Sequence, residues 1–312
     1  NLLTVNNIMD CAGNVIDPLA NSAKLFMAEK IKQADILISE VLFNPRNGSV
    51  DFIEIYNHTN HVLDLKELSL ANVSSSGDLS SVKSLSNISQ FILPKSYWVL
   101  TTNPEDIKQQ YKVENPNQFV KMSSLPSYNN DKGSVALATD RFTVDRFDYN
   151  DSMHLALLKN VKGVSLERVS FTKPTNELGN FKSAAQSIGF ATPTYRNSQE
   201  EDINTLKNNV SLANKVFSPD GDGYEELLQI DYRFVDNGNV ANVNIYTDKG
   251  ILVRKLQRNT SVATAGNFIW DGLNDAGQKS KVGIYIIKFD AFALNGKTES
   301  FKQTCVLATK LN

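Results

Sequence analysis

Apolar and polar residues alternate in short runs along most of this chain. Between residues 34 and 198 the runs ILISEVLF, DFIEIYN, YWVLTT, SVALAT, FTVDRFDY and SLERVSF follow one another, bounded by Asn, Gly, Pro or Asp. A period of two over such short stretches predicts β-strands. A polar stretch at 199–209, carrying Glu200, Glu201 and Asp202, predicts a linker. The rhythm then resumes with LLQIDYRF, ANVNIYT, ILVRKLQ, NFIW, IYIIKFDAF and SFKQTCVLA. Short strands with regular turn signals predict a β-sandwich, and Asp248-Lys249-Gly250 and Leu294-Asn295-Gly296 suit hairpin turns. One helix is predicted after Asn103, where Pro104 takes the first turn and Glu105 and Asp106 sit at the positive end of the dipole. A second, short one is predicted over 181–188. Residues 1–5 predict a strand leading to a turn at Asp10-Cys11-Ala12-Gly13-Asn14. Residues 22–31 read equally as one helix or as a crossing linker.

The order of motifs in 34–198 resembles the bacterial branch of the lamin-tail domain family. Ile38-Ser39-Glu40-Val41 with Asn44-Pro45 is similar to its opening strand and turn, and Asp51-Phe52-Ile53-Glu54-Ile55-Tyr56-Asn57 to its second strand. Asp64-Leu65 with Leu68-Ser69-Leu70, then Val144-Asp145 through Tyr149, continue the series. Gly163 through Val169 and Ala191-Thr192-Pro193 through Ser198 close it. Phe181 stands where that family often has Trp, and Thr194 where Gly is common. Residues 210–312 resemble the FlgD-type immunoglobulin-like family. The carriers are Phe217-Ser218-Pro219-Asp220-Gly221-Asp222-Gly223, Asn244-Ile245-Tyr246 with Gly250, Trp270-Asp271-Gly272, Gly277 and Gly283-Ile284-Tyr285. The opening Leu3-Thr4-Val5 through Asn14 resembles the last strand of an SbsA-type bacterial Ig-like domain. These resemblances imply an all-β chain of two Ig-like sandwiches in tandem with few short helices. Residues 1–33 would be the remnant of a preceding Ig-like domain plus a linker, 34–198 the first sandwich, 199–209 the linker and 210–312 the second. They also imply a secreted or cell-surface protein of a Bacteroidetes-like bacterium, and some FlgD-type relatives serve as sorting tails.

The bulk numbers agree with that class. A chain of 312 residues holds about two domains. With 32 basic and 34 acidic residues the net charge is -2, so nothing points to the basic face that nucleic acid requires. No apolar run approaches the roughly 20 residues of a membrane span. No signal peptide is legible, and the chain reads as starting inside a longer precursor. Cys11 and Cys305 fit no zinc or redox spacing; they are either two buried small hydrophobes or a disulfide joining the two ends.

The sharpest chemistry is Asp220-Gly221-Asp222-Gly223-Tyr224-Glu225-Glu226. Carboxylates two and four positions apart, with glycines between, suit the hard oxygen shell of calcium. Asp220, Asp222 and Glu226 would give carboxylates and Tyr224 a backbone carbonyl; the alternative is a Gly/Asp turn entering a strand. His58 and His61 beside Asp64 read as a solvated turn rather than a zinc site, and His154 has no evident nucleophile partner. Asp145, Asp148 and Asp151 read as a polar hairpin face on which alternation keeps Asp145 and Asp148 apart. Asn57, Asn72 and Asn87 open glycosylation triplets. Glu54 and Arg168, each among apolar strand neighbours, are expected to face one another as a buried pair, and Trp270 to anchor the second core. No nucleophile-elbow, P-loop, zinc-helix or dinucleotide motif occurs in the sequence. The expectation is a non-catalytic structural or interaction module at the cell surface, or in the periplasm, presenting loops to a protein or glycan. The alternatives are an accessory binding or sorting region of a larger secreted hydrolase, and, more remotely, a nucleic-acid-binding module.

Overall fold

The computed structural model describes residues 2–202 and 205–309. The predicted strand start at residue 1, two residues of the predicted linker and the final three residues lie outside the described residues. Within them the chain is all-β, with one α-helix, Pro104–Gln110, and three single-turn 3-10 segments. Residues 22–31 resolve the open choice against a helix: Leu2–Thr4 pairs with Ser22–Lys24 in a small antiparallel hairpin, and a coil follows. The helix predicted over 181–188 is not there. Phe181–Ser183 is a strand, because Phe181 pairs across to Arg168 and stacks on Phe147 at 3.6 Å in the core, and only Gln186–Ile188 turns.

The first sandwich packs a six-stranded sheet on a four-stranded one. The larger runs in the order Phe119–Lys121, Tyr97–Thr101, Phe52–Asn57, Ile36–Leu42, Leu166–Arg168, Phe181–Ser183. The smaller runs Thr143–Asn150, Lys132–Ala138, Ser69–Val73, Leu79–Ser84. Every residue of Ile36–Leu42 is buried, which a simple half-buried strand would not show. The reason is that the large sheet is covered twice. Ile36, Ile38, Val41, Ile53 and Ile55 join the core shared with the small sheet. On the other side Leu42, Phe52 and Val99 meet Ile107 of the helix, Tyr111 and Ala191. A bulge between Ile38 and Glu40 lets this one strand feed both faces.

The second sandwich sets the sheet Asn209–Leu212, Leu228–Arg233, Ala265–Trp270 against the sheet Val216–Phe217, Thr298–Leu307, Gly283–Phe292, Val240–Thr247, Leu252–Ser261. Both expected hairpin turns close at a glycine with positive φ: Gly250 at 78° and Gly296 at 84°. Trp270 is fully buried between Phe217 and Tyr285, and its Nε1–H donates to the Leu273 carbonyl at 2.9 Å. The stretch that joins the sandwiches is bound rather than free. The Ser198 carbonyl accepts from Thr264 N at 2.8 Å, Gln199 Oε1 from Gly238 N at 2.7 Å, and Asp202 pairs with Arg233 at 2.7 Å. Gln199 is buried at this seam.

Candidate functional site

The ionisable groups of the first sandwich sort by strand register. Glu54 pairs with Glu40, and Glu40 with Glu167, on three adjacent strands. Residues directly opposite share a face, so the three carboxylates form a row, and all three are fully buried. The segment 191–199 lies over them and supplies donors. Thr194 N donates to Glu54, and Thr192 N donates to Glu40 at 3.0 Å. Glu167 receives Thr192 Oγ1 at 2.7 Å, Ser198 Oγ at 2.7 Å and Gln199 N at 3.1 Å; Ser165 Oγ donates to Glu40. Glu54 Oε1 has no partner. Burial, reinforced by the neighbouring carboxylates, holds Glu40 and Glu54 well above the usual range, and burial pushes Glu167 up to about 7. Thr194 has φ of 71°, the left-handed region that favours glycine. Its strained position is held by that bond to Glu54 and by Asn115, whose N–H donates to Thr194 Oγ1 at 2.9 Å.

The expected Glu54–Arg168 pair does not form. Glu167 shares the face of Glu54, so its neighbour Arg168 must point the other way, into the core between the two sheets. Its acid partner is Asp145 of the small sheet, 2.8 Å from Nη2. Arg168 Nε also donates to the Ile38 carbonyl at 2.7 Å and Nη2 to Thr175 Oγ1 at 2.8 Å, while the guanidinium lies 5.2 Å from the Phe181 ring centre. Asp145 is therefore buried, not part of a polar hairpin face. Asp148 pairs instead with Arg146 at the surface. Sequence reasoning passed over Glu40, Glu167 and Asp145 as a set. The available signal was a charge inside an unbroken apolar run, as in ILISEVLF.

The carboxylates of Asp220, Asp222 and Glu226 converge, with one oxygen of each within 4.8 Å of the others. Gly221 and Gly223 carry φ of 89° and 85°, which lets the loop curl. Gly223 N donates to Glu226 at 2.9 Å and Tyr224 N to Asp222 at 2.9 Å. The Tyr224 side chain points to solvent.

The other candidates are dispersed. His61 Nδ1 sits 2.7 Å from Glu29, whereas His58 is half-buried against Phe171, so only part of that turn is solvated. His154 does have a hydroxyl neighbour, contrary to expectation: its Nδ1 is 2.9 Å from Ser183 Oγ. Ser183 Oγ also accepts from Leu155 N at 2.9 Å, so the pair ties a loop to a strand. Both residues are buried, and burial pushes His154 down to about 4. Cys305 is buried and pushed up to about 12, whereas Cys11 is exposed on the N-terminal hairpin, and both are free. Asn57 is buried, with Nδ2 donating to the Ile92 and His61 carbonyls, and so is closed to a glycan in the folded protein.

No helix among the described residues is long and apolar enough to cross a membrane. No curated protein matches the chain. Among solved structures, FlgD from P. aeruginosa is 22% identical over 31% of this chain and 65% of that one, at a TM-score of 0.23. Dimeric latent PorU from Porphyromonas gingivalis is 10% identical over 88% of this chain and 34% of that one, at 0.26. PorZ, a surface component of the type-IX secretion system of that organism, is 10% identical over 96% and 44%, at 0.25. This chain thus spans under two thirds of each, and scores at that level carry no argument about it. What the comparisons establish is local: residues 29–151, which include the paired strands Ile36–Leu42 and Phe52–Asn57 and the small sheet, match the family model of the Lamin Tail Domain.

Proposed function

We propose that this chain is a non-catalytic structural and interaction module, secreted or displayed at the surface of a Bacteroidetes-like bacterium. Its loops would be held in place by tandem sandwiches that behave as one body. The observation that carries this reading is the use made of its buried reactive groups. Glu40, Glu54 and Glu167 fasten the segment 191–199 to the sheet, Arg168 and Asp145 join the two sheets, and His154 with Ser183 ties down a loop. Each serves the architecture; His154 and Ser183 line a cavity, but His154 Nε2 has no hydrogen-bond partner, so no orienting group completes a nucleophile and base there. Residues 210–312 act here as a FlgD-type Ig-like tail and 1–33 as the remnant of a preceding domain, a division that rests on the motifs alone. The test is turnover of chromogenic ester, glycoside, peptide and phosphodiester substrates by the purified chain. None is expected; turnover that Ser183→Ala abolishes would overturn the reading.

The loop 220–226 is the proposed calcium site. Asp220, Asp222 and Glu226 supply carboxylates and Tyr224 its carbonyl, and the ion would pin the entry of the second sandwich. Extracellular calcium modules bind at about 0.1–1 mM. Saturation at ~10 mM calcium then stabilises the folded state by about 1.4–2.7 kcal/mol, which a thermal melt reads as a rise of several degrees. Asp222→Ala is expected to lose that rise. An equal rise in wild type and variant would place the ion elsewhere, and no rise would leave only a turn.

A further inference from the structure

At one end of the first sandwich, a shallow, open cavity of about 530 Å³ lies between the turn 44–51 and the segment 125–130. That volume falls within the roughly 300–1,000 Å³ of small-molecule sites. Its lining is polar, drawn from Asn, Ser, Arg, Lys, Asp and Tyr side chains. Two of these are unusual. Asp51 Oδ1 and the Tyr128 hydroxyl are both buried, and both lack a hydrogen-bond partner. Tyr128 is 7% exposed. Burial, then the Tyr149 phenol and the Asp51 carboxyl, disfavours ionisation of the Tyr128 phenol. A buried polar atom without a partner costs free energy, and two on one cavity mark a place where something else supplies the bonds.

We propose that this cavity binds a neutral saccharide, one hydroxyl of which bridges Asp51 and Tyr128. The bridging group must donate to a carboxylate oxygen and accept from a phenol at the same time, and a hydroxyl does both. Charge narrows the class further. Arg46 and Lys162 on the lining disfavour an ammonium ligand, and Asp51, whose carboxyl burial pushes up to about 7, disfavours a carboxylate or phosphate in its ionised form. The turn is held for the purpose: Ser49 Oγ and Val50 N both donate to Asp106, and the Asp51 carbonyl accepts from Thr101 Oγ1 at 2.8 Å. A second cavity of about 480 Å³ adjoins across Ser127 and Tyr128, which line both. There Asn72 Oδ1 is a third buried oxygen without a partner. A ligand of more than one sugar ring therefore has hydrogen-bonding positions on both sides of Ser127.

This inference rests on the module reading and names the ligand class it displays its loops to. The experiment is saturation-transfer NMR on the full chain with glucose, galactose, mannose, N-acetylglucosamine and their β-1,4 or α-1,2 homodisaccharides. Glucosamine and glucuronate serve as charged controls. At least one neutral sugar is expected to bind, more tightly than either control and more tightly as a disaccharide. Tyr128→Phe and Asp51→Ala are each expected to weaken it about tenfold, the loss of one hydrogen bond. Ser127→Trp, at an exposed position, blocks the mouth without touching the buried pair and serves if either of those variants fails to fold. No transfer from any sugar, binding that all folded variants retain, or preference for a charged control would each overturn the site, and would mean that only water bridges the pair. A sugar that binds and is then cleaved would instead overturn the non-catalytic reading and leave the site standing.

Discussion

Asp145→Ala is expected to lower the free energy of unfolding by about 3–5 kcal/mol, the usual consequence of leaving a buried charge without its partner. Arg168 has no route to water, being fully buried. Burial lowers its pKa only to about 10, with Asp145 opposing the shift, so it remains charged at neutral pH. Removing Asp145 strips that charge of its counter-ion and also leaves Ile38 N without the acceptor now 2.8 Å away. Thr175 Oγ1, which donates to Asp145, loses its acceptor as well. The remaining bonds from Arg168, to the Ile38 carbonyl and Thr175, do not neutralise it. Arg168→Met in the Asp145→Ala background is expected to recover much of the loss, since replacing both members of a buried pair with apolar groups is often close to neutral. The check is a double-mutant cycle by denaturant unfolding. A loss under ~1 kcal/mol for Asp145→Ala would mean that the pair behaves like a solvated one.

The glutamate row makes stability depend on pH in a direction opposite to that of ordinary salt-bridged acids. A carboxyl whose folded pKa is raised favours the folded state fully while it is protonated in both states, below its unfolded value. That advantage is lost as pH rises through the folded value. Glu167, fully buried and pushed up to about 7, puts the window between about pH 4.5 and 7. At 1.4 kcal/mol per pH unit the loss across it is on the order of 2–4 kcal/mol. Glu40 and Glu54, raised by burial and by the acids beside them, steepen the fall. The hydrogen bonds say which member holds a proton longest. Glu167 accepts from three donors, which suit an anion, whereas Glu54 has one bare oxygen. Glu54→Gln is therefore expected to flatten the profile with little loss near pH 5, and Glu167→Gln to cost stability at every pH by setting an amide against the segment 191–199. Urea midpoints at pH 5 and 8 for wild type and both variants give the test. Wild-type stability that rises from pH 5 to 8 would contradict it.

Much of this protein was legible in its residues one stretch at a time. Alternation located the strands Ile36–Leu42, Phe52–Asn57, Thr143–Asn150 and most of those after residue 209. Pro104 located the helix, and the glycines at 250 and 296 their turns. These are local matters: a side chain's face, a fixed φ and a left-handed turn are decided within a few residues. The carboxylate loop 220–226 was legible for the same reason, since its three acids meet through their own glycines. Partnership across strands was not. Glu54 and Arg168 each announced themselves as charges in apolar runs, but their partners depended on register. A register that sets Glu54 against Glu40 and Glu167 sends Arg168 to the opposite face, where Asp145 waits. Phe181 illustrates the same limit. Its neighbourhood had the look of a short helix, and the stack on Phe147 with pairing to Arg168 made it a strand. The cavity of Asp51 and Tyr128 joins residues 77 positions apart, which only closure of the sandwich brings together. One-residue shifts in pairing exchange the two faces of a strand, so the identity of every buried partner waited on the fold as a whole.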